Sequence, residues 1–150
     1  MTEDTTAEQT FRLIYRSHSC IPADDQATGL ADIFSVARAN NKRLGVTGAL
    51  LLTESWFVQA LEGDESVVRG LYERISEDPR HEDVTVIESA PVDRRVFSRW
   101  AMAQVSRLGH ADIPLHVTDG HLHTAADQPL TREQAAVLKT MRNTIGADTV

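Results

Sequence analysis

Residues 40–63 read NNKRLGVTGALLLTESWFVQALEG, and their pattern sets the layout of the rest of the chain. Gly45–Thr53 and Trp56–Glu62 are apolar runs separated by Glu54-Ser55, which predicts a β-hairpin. Alternation along the second run puts Phe57, Gln59 and Leu61 on one face. The carboxamides of Asn40, Asn41 and Gln59 stand among the most apolar residues of the chain. A carboxamide withdrawn from water destabilises the fold unless it finds hydrogen-bond partners. Each offers an acceptor oxygen and N–H donors, so the set suits a ligand whose edge alternates acceptors and donors.

Upstream of the hairpin, Leu30, Ile33, Phe34, Ala37 and Asn41 recur at helical spacing, which brings Asn41 to the end of an apolar stripe. Pro22–Thr28 reads as a polar loop. Phe11–Ser17 reads as a strand, with Phe11, Leu13 and Tyr15 alternating against Arg12, Ile14 and Arg16. Downstream, Asp64 is placed to cap a second helix and Glu65 favours its positive end. That helix carries Val67, Leu71, Arg74, Ile75 and Asp78 on one side until Pro79-Arg80-His81 breaks it. Val84–Ser89 then reads as a strand and Pro91–Arg99 as a connection. Trp100–Val105 reads as a last strand with Trp100, Met102 and Gln104 on one face. The order β-α-β-β-α-β-β predicts an α+β, ferredoxin-like sheet with its helices packed on one face. Gly48 and Gly63 are read as structural.

After Ser106 the character changes. Gly109–Pro129 is loop-like and holds His110, His116, His121 and His123, which lack neighbouring cysteines or a carboxylate frame and are assigned no metal. Thr131 and Gln134 have capping-box spacing. The helix expected over 131–145 continues through Ala135, Leu138, Arg142 and Ile145, and Gly146 can end it. Residues 1–10 are expected to be a disordered leader, 11–106 the main domain and 107–150 a C-terminal extension. The helix of that extension has two expected uses, docking on the uncovered face of the sheet or pairing with another chain.

The whole chain has 150 residues, enough for one domain with a real core. Charged residues make up 25% and hydrophobic ones 41%, the balance of a soluble globular protein. A net charge of −7 argues against direct nucleic-acid binding, which needs a basic face to displace counterions. No apolar stretch approaches the ~20 residues that span a bilayer. The start, MTEDTTAEQT, is acidic and polar, unlike a signal peptide. Cys20 has no second cysteine to pair with, and a cytoplasmic location is expected. No glycine-rich phosphate loop or recognisable nucleophile context appears, so the chain is not expected to be an enzyme.

The segments LIYRS, ADIFSVARANN, GVTGALL, FVQALEG, RISEDPRH and RRVFSRWAM follow one another between Phe11 and Ser106. Together they resemble the BLUF family of blue-light sensors that bind flavin. The resemblance implies FAD as cofactor, with FMN possible, and assigns roles residue by residue. Tyr15 matches the tyrosine that gives an electron and a proton to the light-excited flavin. Gln59 is similar to the glutamine that switches hydrogen bonds between that tyrosine and the ring. Asn41 resembles the anchor of the ring's C4=O and N3 region, with Asn40 beside it. Ile33 and Ile75 resemble the aliphatic residues that sandwich the ring. Arg74 and Asp78 match a pair at its pyrimidine end, while Arg80 and His81 lie near ring or phosphates. Trp100 and Met102 match the light-responsive motif of the last strand, and the sequence leaves open which of them faces the pocket.

Plainer readings stand beside these. Tyr15 is also compatible with an ordinary buried tyrosine, and Asn40 or Asn41 with a helix C-cap. Arg74 and Asp78 could form a solvated i,i+4 pair, and Arg80 and His81 could be simple loop residues. The expected partners are flavin, a second copy of the chain in a homodimer and an unidentified downstream signalling protein. The alternatives are a small ferredoxin-like acyl- or phosphoryl-group hydrolase using Arg80, His81 and the asparagines, or a light-insensitive interaction module.

Overall fold

The structure is a computed structural model that describes residues 10–52, 56–98, 100–106, 113–114 and 131–144. Its elements are β1 (Thr10–Ser19), α1 (Gln26–Leu44), β2 (Thr47–Leu52), β3 (Trp56–Gly63), α2 (Glu65–Ser76), β4 (His81–Val92), β5 (Ala103–Ser106), β6 (Ile113–Pro114) and α3 (Arg132–Asn143). The strands form one sheet in the order β4-β1-β3-β2-β5-β6. β1 lies antiparallel between β3 and β4, and β2 is antiparallel to β3. β5 runs parallel to β2. The first four strands with α1 and α2 make the expected ferredoxin-like unit, and β5 extends it beyond β2.

Period-two alternation gives this sheet two buried faces. Leu13, Tyr15, Leu50, Phe57 and Leu61 point to the side covered by α1 and α2, where Phe34, Val68 and Leu71 pack. Ile14, Ala49, Leu51, Val58, Ala60 and Val105 point to the other side, which α3 covers with Val137, Leu138 and Met141. Of the two uses expected for the tail helix, the described residues show the docked one. The capping box at its start is present, Gln134 N–H donating to Thr131 Oγ1 and Thr131 N–H to Gln134 Oε1.

Several expected boundaries shift, each for a local reason. Pro22–Thr28 is not a loop throughout: a 3-10 turn at Ala23–Asp25 leads into α1 at Gln26, with Asp24 and Asp25 before the positive helix end. α1 runs past Asn41 to Leu44 and ends on Gly45, whose φ of 72° is the left-handed conformation glycine adopts freely. Neither Asn40 nor Asn41 is therefore the helix cap. α2 stops at Ser76, so Asp78 is not helical, because the residue before Pro79 is driven out of the helical region. β4 is longer than Val84–Ser89, since it pairs along the whole of β1 from Ser19↔His81 to Thr10↔Val92.

The last strand begins at Ala103 rather than Trp100. Trp100 N–H donates to Phe97 O at 3.0 Å, a turn that suspends strand alternation just before β5. In α3 the buried positions are Gln134, Val137, Leu138 and Met141, one residue out of phase with the expected Ala135, which is exposed. β6 falls where a loop was expected. Residues 1–9, the expected turn residues Glu54 and Ser55, His110, His116, His121, His123, Ile145 and Gly146 lie outside the described residues. Among the described residues no helix is long and apolar enough to cross a membrane, and no group of His, Cys, Asp and Glu could hold a metal ion.

Candidate functional site

The face of the sheet under α1 and α2 does not close completely. Between them lies a cavity of about 240 Å³. β1 and β3 contribute Tyr15 and Gln59, α1 contributes Ile33, Asn40 and Asn41, and α2 contributes Arg74 and Ile75. Asp78, Arg80 and His81 close the end beyond α2.

Tyr15 and Gln59 are direct cross-strand partners, so their side chains emerge on the same face. The Tyr15 hydroxyl donates to Gln59 Oε1, and Gln59 Nε2 donates to Met102 Sδ at 3.5 Å. Both residues are buried. Burial first, then the neighbouring Tyr72 and the Asp78 charge, push the Tyr15 phenol far above its ordinary value. Burial thus disfavours the phenolate and keeps the hydroxyl proton on Tyr15.

Asn41 is 2% exposed and lines the cavity while its Nδ2 donates to Ala101 O at 2.8 Å. The end of α1 is thus tied to the segment leading into β5. A second tie runs from Arg38 Nε to Met102 O at 3.1 Å. Asn40 is only half-buried and accepts from Arg43 at 3.4 Å.

Asp78 pairs with Arg80 and not with Arg74. Its carboxylate accepts from Arg80 N–H at 2.8 Å, from Nε at 3.0 Å and from Nη2 at 2.5 Å. These bonds from Arg80 hold the Asp78 carboxyl below the usual carboxylate range. Arg80 Nη1 also reaches Asp32 on α1 at 3.2 Å, across the mouth of the cavity.

His81 is buried with both ring nitrogens engaged. Nε2 lies 2.7 Å from Ile75 O, and Nδ1 lies 2.7 Å from Ser17 Oγ. A carbonyl only accepts, so Nε2 carries a hydrogen, and in the neutral ring the Ser17 hydroxyl donates to Nδ1. The ring staples the end of α2 to β1 and offers the cavity its carbon framework rather than a free nitrogen.

Trp100 and Met102 part company. Met102 packs with Tyr15, Phe57 and Leu50 on the cavity side of the sheet. Trp100 packs in the α3-side cluster, 6.4 Å from the Phe97 ring. Sequence reasoning missed Leu50, Phe57, Leu71 and Val36 as cavity walls and Ser17 as the partner of His81. Alternation from Tyr15 points to Ser17, alternation from Gln59 to Phe57, and helical spacing from Ile33 to Val36.

The lining combines apolar walls from Ile33, Leu50, Leu71 and Ile75 with the amides of Asn40, Asn41 and Gln59 and the charged groups of Arg74, Asp78 and Arg80. Residues 10–103 match the BLUF family, sensors of blue-light using FAD. The chain belongs to the BLUF family. It is 38% identical over 99 residues to photoactivated adenylate cyclase subunit alpha of Euglena gracilis, covering 66% of this chain and 10% of that protein. It is 33% identical over 122 residues to the blue light- and temperature-regulated antirepressor BluF of Escherichia coli (strain K12), covering 81% of this chain and 28% of that protein. It spans about a tenth of the cyclase subunits. The dark-state structure of the BLUF protein BlrB superposes with a TM-score of 0.64 at 36% identity, covering 67% of this chain and 75% of that one. The BLUF cofactor is flavin, and the donor set here suits it. Asn40, Asn41, Gln59, Arg74 and Asp78 are polar residues of the cavity lining, while Ile33 and Ile75 reach the cavity from the two helices.

Proposed function

We propose that this BLUF chain is a blue-light photoreceptor that carries FAD and signals without catalysis of its own. The observation that carries the reading is the hydrogen bond from Tyr15 to Gln59, buried at the wall of the cavity between the sheet and the two helices and continued to Met102. When bound, the oxidised flavin supplies the blue absorption and accepts an electron on excitation. Tyr15 releases an electron and its hydroxyl proton and afterwards recovers both. Gln59 has chemically distinct amide ends, so its rotation or tautomerisation rewires the bonds around it without displacing the ring. The outcome is a red-shifted signalling state. Asn41, Asn40, Arg74 and Asp78 would hold the polar groups of the bound ring, with Arg80, His81, Ile33 and Ile75 lining the rest of the cavity.

Signal leaves the pocket only if the lit state favours a different protein conformation. The segment 100–102 is the natural exit, because Gln59, Asn41 and Arg38 all hold it. It leads into β5, and on its far side Trp100 touches the cluster covered by α3. Release or re-docking of α3 then changes what a downstream protein or a second copy of the chain meets. The hydrolase alternative is disfavoured by burial, since His81 is buried and the hydroxyl it faces, that of Ser17, is fully shielded from a substrate.

Absorption spectra of the purified protein, dark and under blue light, test the proposal. A yellow protein whose flavin bands move to the red on illumination is expected. A yellow protein with no shift would leave the light-insensitive module standing, and a colourless one would remove the flavin site.

A further inference from the structure

Glu62 is a buried carboxylate that the light chemistry does not use. It sits three residues beyond Gln59 on β3 and is fully buried. By alternation it points away from Gln59, to the α3 side of the sheet. There Oε2 accepts from Val96 N–H at 2.8 Å and Oε1 from Phe97 N–H at 2.9 Å. Arg12 Nη1 stands 3.5 Å away as counter-charge. Such a carboxylate persists only where its acceptors are well satisfied.

The neighbouring carbonyl is held from the opposite direction. Gln134, in the first turn of α3, donates from Nε2 to Val96 O at 3.0 Å. The same amide accepts Thr131 N–H at Oε1, so one side chain caps its own helix and grips the 96–97 segment. Four residues on, Trp100 O accepts from Gly48 N–H, and Ala101 O and Met102 O are held by Asn41 and Arg38. Residues 96–98 and 100–102 thus form the two ends of a bridge, one tied to the tail helix and the other to the cavity.

We infer that Glu62 and Gln134 are positioning residues forming a two-sided clasp on the Val96–Phe97 segment, through which displacement of residues 100–102 is passed to α3. The inference rests on the photoreceptor reading and adds its route of output. Glu62 fixes the segment to the sheet, and Gln134 makes docking of α3 depend on where the segment stands. Movement at Met102 that drags the segment breaks the Gln134 bond first, because one neutral amide bond is weaker than the two charge-assisted bonds to Glu62.

Gln134→Glu isolates the clasp. A glutamate at this position still accepts from Thr131 N–H as a capping box does, but it has no hydrogen to give Val96 O. Hydrogen exchange of the flavin-loaded full chain, dark and lit, is the measurement, with the red shift recorded on the same samples. In the wild type, light should speed exchange over 132–141. In Gln134→Glu these amides should already exchange about tenfold faster in the dark, the loss of one buried hydrogen bond, with light adding nothing more. Gln134→Ala should behave alike with a frayed helix start, and Glu62→Gln should speed exchange at 96–97 as well. Each variant should keep flavin and its red shift. An unchanged light response over 132–141 in Gln134→Glu would overturn the clasp, as would a wild type whose red shift leaves those amides unmoved. A wild type with no red shift at all would overturn the photoreceptor reading itself, and the clasp's role with it.

Discussion

Tyr15 and Gln59 face each other across β1 and β3, and the tyrosine hydroxyl donates to the glutamine oxygen inside the sheet face that α1 and α2 cover. Strand register enforces this meeting, because directly opposed residues share a face and stand within side-chain reach. A one-residue slip would send Gln59 to the α3 side of the sheet.

The pair should be needed for the photocycle and dispensable for binding. Tyr15→Phe removes the hydroxyl alone, and Gln59→Leu fills the same space without an amide to reorganise. Both proteins should purify yellow and lose the light-induced red shift. A normal shift in either variant would end the assigned mechanism.

The alkaline behaviour of Tyr15 follows from its burial. Its folded pKa is raised, so the proton it holds favours the folded state over an unfolded chain that ionises near about 10. That contribution is complete below the ordinary phenol value and falls away as pH climbs above it. Ultraviolet titration should show one tyrosine ionising only as the protein unfolds. Tyr15→Phe should abolish that late component and flatten the loss of stability above about pH 10. A single ordinary titration in the wild type would contradict the burial.

Flavin retention should fall in Asn41→Ala and Arg74→Ala. Each unpaired polar group at a buried ring edge costs about 1–3 kcal/mol, and Asn41→Ala also frees Ala101 O. The half-buried Asn40 should matter less. Flavin-to-protein ratios after gel filtration measure the order, and full loading of an Asn41→Ala, Arg74→Ala double variant would move the pocket elsewhere.

Gly48 should tolerate no side chain. A Cβ there would stand 2.0 Å from Ala60 O, a backbone atom on the adjacent strand that cannot swing aside. Gly48→Ala should cost about 3 kcal/mol or more, lowering Tm by roughly 2–4 °C per kcal/mol in a chain of this length. A melting curve matching the wild type would mean that β2 and β3 are spaced differently.

Where alternation and helical spacing hold, the sequence was legible. The hairpin, the ferredoxin-like order and the shared face of Phe57, Gln59 and Leu61 all rest on regular periods. The strand positions of Tyr15 and Gln59 follow from the same periods, and their proposed roles from the resemblance. What escaped notice depends on interruptions. The turn at Phe97–Trp100 takes Trp100 out of register with Met102, and Pro79 removes Asp78 from the helix that would have paired it with Arg74. Contacts distant in sequence left no local signal: Ser17 with His81, Glu62 with the 96–97 amides, and Gln134 with Val96 arise only when β1, β3 and α3 come together.

The separation of Trp100 from Met102 yields the sharpest division of effects. Met102 Sδ accepts from Gln59, so Met102→Leu conserves volume at a cost under about 1.5 kcal/mol but deprives that amide of its acceptor. Its flavin spectrum or the lifetime of its lit state should change, with Tm nearly unmoved. Trp100 lies beyond the turn, against Phe97 and the α3-side cluster. Trp100→Ala should leave the dark spectrum and the initial red shift intact while lowering Tm and exposing α3 to limited proteolysis, since a large packed ring is lost. Swapped outcomes, a spectral change from Trp100→Ala and a loosened α3 from Met102→Leu, would place Trp100 inside the pocket and Met102 against the tail.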